Sequence, residues 1–177
     1  MPIRNTWGPI HSHGYTPKML HTLILSLLLA ATPQTVRVVA VHDGDTITVK
    51  INGQSEKVRL VGIDAPEIND ERQDYRDAAY AARNYARSRL GGEQVTLESE
   101  PQQGDRDRYG RMLRYVILHD GTNFNEELVR KGYAHVYDRF HFAQKPQFKA
   151  AEAEAKREKR GVWALRPGVW REVPDAH

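Results

Sequence analysis

Four carboxylates in this chain stand as two close pairs. Asp43 and Asp45 belong to Asp43-Gly44-Asp45-Thr46, and Asp64 and Glu67 to Asp64-Ala65-Pro66-Glu67. Between the pairs lie two β-rich runs, Ile47 to Ile51 and Lys57 to Ile63, separated by Asn52-Gly53, a dipeptide suited to a two-residue hairpin turn. A hairpin brings its outer ends together, so the four acids are expected at one rim. There they would repel one another strongly unless a cation or an arginine sat among them. The stretch therefore predicts a site for a hard metal ion.

Two arginines bear on the same chemistry. Arg59 lies on the strand that leads to Asp64, and a spacing of five puts the two on opposite faces of a regular strand. A bend near Gly62 would bring them to one side. Arg111 closes Asp107-Arg108-Tyr109-Gly110-Arg111, a turn that runs into a strand. Taken singly, each arginine reads as a surface ion pair. Beside an acid rim the reading changes, because the planar guanidinium fork matches phosphate oxygens and a metal flanked by two arginines suits a phosphate ester.

Periodicity supplies the elements that must position these groups. Thr35 to His42 alternates as a strand, the hairpin follows, and Gln94 to Ser99 and Met112 to Leu118 bring the strands to five. Glu71 to Leu90 reads as a helix with an alanine stripe, stopped by Gly91-Gly92. A second helix, Asn123 to Lys131, has an Asn cap, Glu126 and Glu127 in its first turn, and Gly132 at its end. A third spans Pro146 to Arg160, with acids early, bases late and Gly161 next.

The 177 residues, 40% of them hydrophobic, suffice for one ordinary core. The chain has no cysteine, which excludes disulfides, thiolate nucleophiles and sulfur-ligated zinc. Net charge is +3, but residues 1–31 hold two of the 26 bases and no acid, leaving 24 bases against 23 acids in the remainder. An anion must therefore be held by locally clustered Arg and Lys, not by a global field. Met19 to Ala31 is an apolar run after Lys18, too short for the ~20 residues that span a bilayer. With Ala30-Ala31 before Thr32-Pro33 it has the form of a secretory signal, implying a secreted or periplasmic product cleaved near Ala31, and Met19 is a possible start. The organisation expected is a leader at 1–31, a domain at 35–164 and a tail at 165–177.

Taken in order, Asp43-Gly44-Asp45-Thr46, Arg59, Asp64-Ala65-Pro66-Glu67, Asp107-Arg108-Tyr109-Gly110-Arg111 and Asn125-Glu126-Glu127-Leu128-Val129-Arg130-Lys131-Gly132 resemble the staphylococcal nuclease (thermonuclease) family. The resemblance covers roughly Thr35 to Trp163. It implies an α+β, mainly β fold: a five-stranded oligonucleotide/oligosaccharide-binding (OB-fold) barrel with three helices. It further implies a calcium-dependent nuclease acting on DNA and RNA, preferably single-stranded, that breaks the bond to the 5′-oxygen and leaves a 3′-phosphate. A monomer with no membrane partner after signal cleavage is expected. By the same resemblance, Asp45, Asp64 and the Ala65 carbonyl hold Ca2+, with waters completing ~6 to 8 oxygens. Asp43 stands behind these ligands. Glu67 is the general base, and Arg59 and Arg111 hold the phosphate. Arg108, Tyr109 and Tyr137 are the substrate contacts.

The chain departs from the family pattern in two places. Ala65 stands where threonine is frequent, and the loop Ile68-Asn69-Asp70-Glu71-Arg72 lacks a lysine-rich excursion. Arg76, Tyr80, Arg83 and Arg87 share one face of the first helix and read as a solvated face. His42, His119, His135 and His141 show no zinc-site spacing and read as surface or rim residues. Two other classes compete with the nuclease: a catalytically inactive OB-fold module that binds nucleic acid, and a structural calcium site in which the acids staple loops.

Overall fold

The computed structural model describes residues 33–164. The leader expected at 1–31 and the tail from 165 lie outside the described residues. Among those described, no helix is long and apolar enough to cross a membrane.

Strands β1 (Gln34–Val41), β2 (Thr46–Ile51) and β3 (Gln54–Leu60) form an antiparallel meander, and β5 (Gln94–Ser99) and β6 (Met112–Ile117) complete a closed barrel in the order β1-β2-β3-β6-β5. The Asn52-Gly53 turn is as the sequence predicts. Both residues take positive φ, 49° and 83°, the pairing required by a two-residue turn that follows the twist of its strands. Closure depends on one parallel contact, Val58 to Leu60 against Met112 to Arg114. That contact brings the strand carrying Arg59 beside the strand that follows Arg111.

The run expected as one strand, Lys57 to Ile63, is broken. β3 stops at Leu60, and Ile63–Asp64 forms a separate short strand, β4, paired antiparallel with His135–Val136, β7. Gly62 causes the break. Its φ is +76°, and a Cβ there would meet the Phe142 ring at 2.6 Å, so both conformation and space require glycine.

Among the described residues the α-helices are α1 (Gln73–Leu90), α2 (Phe124–Arg130) and α3 (Lys145–Arg157). Tyr75, Ala79, Ala82, Ala86 and Leu90 are the buried stripe of α1, and the small alanines let the helix lie close beneath the acid loop. A Cβ on Gly44 would meet Ala82 Cβ at 3.0 Å and Ala65 Cβ at 2.6 Å. On α2, Asn123 caps through its side chain to the Asn125 and Glu126 amides. Pro146 sits in the first turn of α3, where its missing N–H removes no helical bond. The barrel interior, with Val38, Ile47, Val49, Val58, Leu60 and Val95, is continuous with Phe124, Leu128 and Phe148 from the helices. Each such burial contributes roughly 1.5–3 kcal/mol.

Candidate active site

The two acid segments are stitched together by Asp45, which is 6% exposed. One of its carboxylate oxygens accepts the Thr46 hydroxyl at 3.0 Å, and the other accepts the Ala65 amide at 2.8 Å. The backbone amide of Asp45 in turn donates to Asp43 Oδ1 at 2.9 Å. The outer ends of the hairpin thus meet as its geometry demands.

Arg59 lies within this rim. Its Nη1 donates to the Leu60 and Ile63 carbonyls, both at 2.7 Å, and its Nη2 lies 3.2 Å from Asp45 Oδ2 and 3.1 Å from Asp64 Oδ1. The break at Gly62 is what makes this possible, because it turns Asp64 back onto the side that Arg59 faces.

Arg111 arrives from the turn before β6. Asp107 organises that turn through Oδ1, which accepts the Tyr109 and Arg111 amides at 2.9 Å, and through Oδ2, which accepts Arg111 Nε at 2.7 Å. Gly110, at φ +78°, lets the chain reverse. Arg111 Nη1 lies 3.5 Å from the Thr46 hydroxyl, next to Asp45. Tyr109 is 68% exposed, with the Arg108 guanidinium 4.8 Å and that of Arg111 5.4 Å from its ring centroid.

An open cleft of about 680 Å³ joins these parts, with Arg59, Asp64, Arg108, Tyr109, Arg111 and Tyr137 on its walls. Asp45 lies under the rim, and Glu67 is exposed beside it, within the electrostatic reach of Asp45, Asp64, Arg59 and Arg111. All the predicted residues therefore gather in one region. Arg83 and Arg87 of α1 line no part of the cleft. Arg87 is exposed, as a solvated face requires, but Arg83 is half-buried with its Nε shielded from solvent, which corrects that reading at this residue.

Several positioning residues are not among the expected site residues, although Asn125 opens one of the motifs that carry the family resemblance. His135, paired with Asp64 across β4–β7, places Nε2 3.6 Å from Asp64 Oδ2. Glu152, buried on α3, accepts the Val136 amide at 2.8 Å and so holds β7 in place. Glu100 is also buried. It accepts the Tyr115 hydroxyl and, at 2.9 Å, the Ala143 amide, tying down the loop that follows Tyr137. The side chain of Asn125 bonds to Val61, Arg114 and Val116 where β3 leaves β6. Arg139 and Phe140 add a cation and an aromatic to the cleft wall.

The electrostatics of the rim record its crowding. Asp43 is pushed up to about 7 by burial and by the charge of Asp45. Burial, then Asp45, raises Asp64 despite Arg59 and His135. Burial, with Asp45 and Asp64, raises Glu67 as well. Burial opposes the charge on Arg59, but Asp45, Asp64, Asp43 and Glu67 together hold its pKa above the ordinary arginine value. Burial also depresses His135, against the pull of Asp64 and Glu152. One guanidinium therefore does not neutralise four carboxyls. An all-oxygen set with surplus negative charge fits a hard divalent cation. Among the described residues no three such groups form a ready-made cage, so solvent would supply part of any coordination shell.

Comparison with known proteins agrees with this arrangement. Residues 57–165 match the staphylococcal nuclease homologue family. The chain belongs to that family. An uncharacterised endonuclease of Escherichia coli O157:H7 is 39% identical over 139 residues, covering 76% of this chain and 83% of its own. A thermonuclease of Staphylococcus hyicus is 32% identical over 135 residues, covering 76% and 78%. A micrococcal nuclease of Shigella flexneri is 35% identical over 146 residues, again covering 76% and 78%. As a family member the chain is a hydrolase of the nuclease class, built on the OB-fold barrel described above.

Proposed function

We propose that this protein is a calcium-dependent nuclease that cuts DNA and RNA, preferably as single strands, at the bond to the 5′-oxygen, leaving 3′-phosphate ends. The observation that carries the reading is the convergence of two arginine forks on an acid rim, Arg59 at 3.1 Å from Asp64 and Arg111 at 3.5 Å from Thr46 beside Asp45. A staple for loops needs the acids alone. A phosphodiester needs both signs of charge.

Asp45, Asp64 and the Ala65 carbonyl are the groups that would hold calcium. When bound, the ion would polarise a phosphoryl oxygen and acidify nearby water. Glu67 accepts a proton from the attacking water at its exposed carboxylate. The water oxygen bonds to phosphorus as the bond to the 5′-oxygen breaks, and that oxygen takes a proton from solvent. The carbonyls of Leu60 and Ile63 fix Nη1 of Arg59, and its Nη2 faces Asp45 and Asp64, so a phosphate would meet this guanidinium once a cation takes up the charge of those two acids. Asp107 likewise fixes Arg111 through Nε. Both forks are thus oriented before charge builds on the equatorial oxygens, the condition under which electrostatic stabilisation is strongest. Tyr109 offers an exposed ring to a base, and Arg108 and Tyr137 extend the contact along the strand.

Single-turnover cleavage of a labelled single strand, with calcium or with chelator, tests the reading. Cutting in calcium alone is expected. Full activity in excess chelator rejects the metal assignment, and binding without cutting selects the inactive binding module. Export is proposed on the strength of the apolar run Met19 to Ala31 and the small pair Ala30-Ala31. A mature protein found outside the cytoplasm and beginning near Thr32 would bear it out, and an intact cytoplasmic form would overturn it.

A further inference from the structure

The cleft holds more cationic groups than the reaction uses. Arg59 and Arg111 serve the scissile phosphate and Arg108 continues from the same turn, but Arg139 reaches the cleft from another element, the segment between β7 and α3. Its guanidinium lies 5.9 Å from the centroid of the Tyr137 ring, and it is close enough to Asp64 for its charge to oppose, with Arg59 and His135, the upward shift that burial and Asp45 impose on that carboxyl.

The segment that carries Arg139 is anchored on both sides. Lys149 bonds to the Asp138 carboxylate at 2.6 Å, and Lys145 Nζ to the Asp138 carbonyl at 2.7 Å. Beyond Arg139, the His141 carbonyl accepts Gln103 Nε2 at 3.2 Å, and the Ala143 amide donates to the buried Glu100 at 2.9 Å. The Tyr137 amide reaches the Gly62 carbonyl at 3.0 Å, so the start of the segment is joined to the same bend that places Asp64. An exposed arginine on so constrained a backbone loses little backbone freedom when a ligand arrives. Its planar fork suits a phosphate oxygen pair, and the Tyr137 face limits where the guanidinium lies.

We propose that Arg139, supported on Tyr137, binds a phosphate of the substrate strand that flanks the scissile one, making the protein selective for strands that extend past the cut over the shortest diesters. The inference rests on the nuclease reading for the identity of the strand. The Arg139 contact itself is tested independently by binding.

The experiment compares the unaltered protein with Arg139→Gln and Arg139→Lys on two probes, a dinucleoside monophosphate, which has only the scissile phosphate, and a single-stranded octanucleotide. In calcium, Arg139→Gln should leave cleavage of the dinucleoside monophosphate within about twofold and lower kcat/KM on the octanucleotide roughly three- to tenfold, the scale of one phosphate contact. Arg139→Lys should keep most of the octanucleotide rate. In chelator, the slope of log K against log salt for octanucleotide binding should fall by about 0.7 in Arg139→Gln. Equal losses on both probes would overturn the proposal, because Arg139 would then act at the scissile phosphate or through Asp64. An unchanged salt slope would also overturn it. If the unaltered protein binds the octanucleotide but cuts nothing, the nuclease reading falls while the slope still decides the subsite. If it does not bind, both fall.

Discussion

Asp43 on the acid rim and Asp107 on the cleft wall have their acidities displaced in opposite directions. Asp43 is held up near 7 by burial and a neighbouring acid. Asp107 is also partly buried, but hydrogen bonds from the Arg111 side chain and amide hold it below the usual carboxylate range. The turn at Asp107–Arg111 satisfies itself: the carboxylate it contains organises the arginine it presents. The rim at Asp43–Glu67 does not, since Arg59 answers only part of its charge. Burial alone therefore does not set the direction in which a carboxyl's acidity moves. What separates the two is whether nearby donors match the charge.

The largest effect should come from the rim. Glu67→Gln preserves shape and removes the proton acceptor, so single-turnover cleavage should fall by roughly 10² to 10⁴ while strand binding changes little. Cleavage at the original rate would mean that another group is the base. Arg59→Lys comes next. It keeps the charge but cannot serve the Leu60 and Ile63 carbonyls and the rim acids together, so turnover should drop by about 10² and affinity far less. If turnover and affinity fall equally, Arg59 is only a phosphate grip.

The turn should give a smaller loss. Asp107→Asn keeps one acceptor for the amides but loses the charged partner of Arg111 Nε, and cleavage should fall about tenfold through a less ordered fork. Its stability signature has a definite sign. A folded-state pKa below the unfolded value contributes stability that is present above the unfolded pKa and lost as pH falls through the folded one. Denaturant titrations should show the unaltered protein more stable than Asp107→Asn at neutral pH, with the gap closing on acidification below about pH 4. A gap that does not depend on pH would assign the stabilisation to shape alone. The smallest effect belongs outside the cleft, where Arg87→Ala, at an exposed position of α1, should shift strand affinity less than about twofold and leave turnover unchanged. A loss as large as that of Arg59→Lys would break the distinction between rim and surface.

Much of this was legible in the residues. Asn52-Gly53 between β-rich runs set the hairpin, and the hairpin put the acid pairs together, because a two-residue turn admits one register. The alanine stripe of α1, the Asn123 cap and the five barrel strands followed from local periodicity and capping. The order of motifs was enough to point to the family, and the match over residues 57–165 bears it out.

Other features needed the folded chain. The bend expected near Gly62 is there and turns Arg59 and Asp64 together, but the reason residue 62 must be glycine, the Phe142 ring packed against it from a distant loop, is seen only in the fold. The β4–β7 pairing, the hold of Glu152 on Val136 and the bridge from Glu100 to Ala143 join residues far apart in sequence, so no window along the chain contains their signal. The upward shift of Asp43 is of the same kind. The sequence by itself determined which groups meet at the rim, since turn chemistry and side-chain period are local. Tertiary structure decided how those groups face and how strongly each holds its proton, because burial and field sum over every element packed around them.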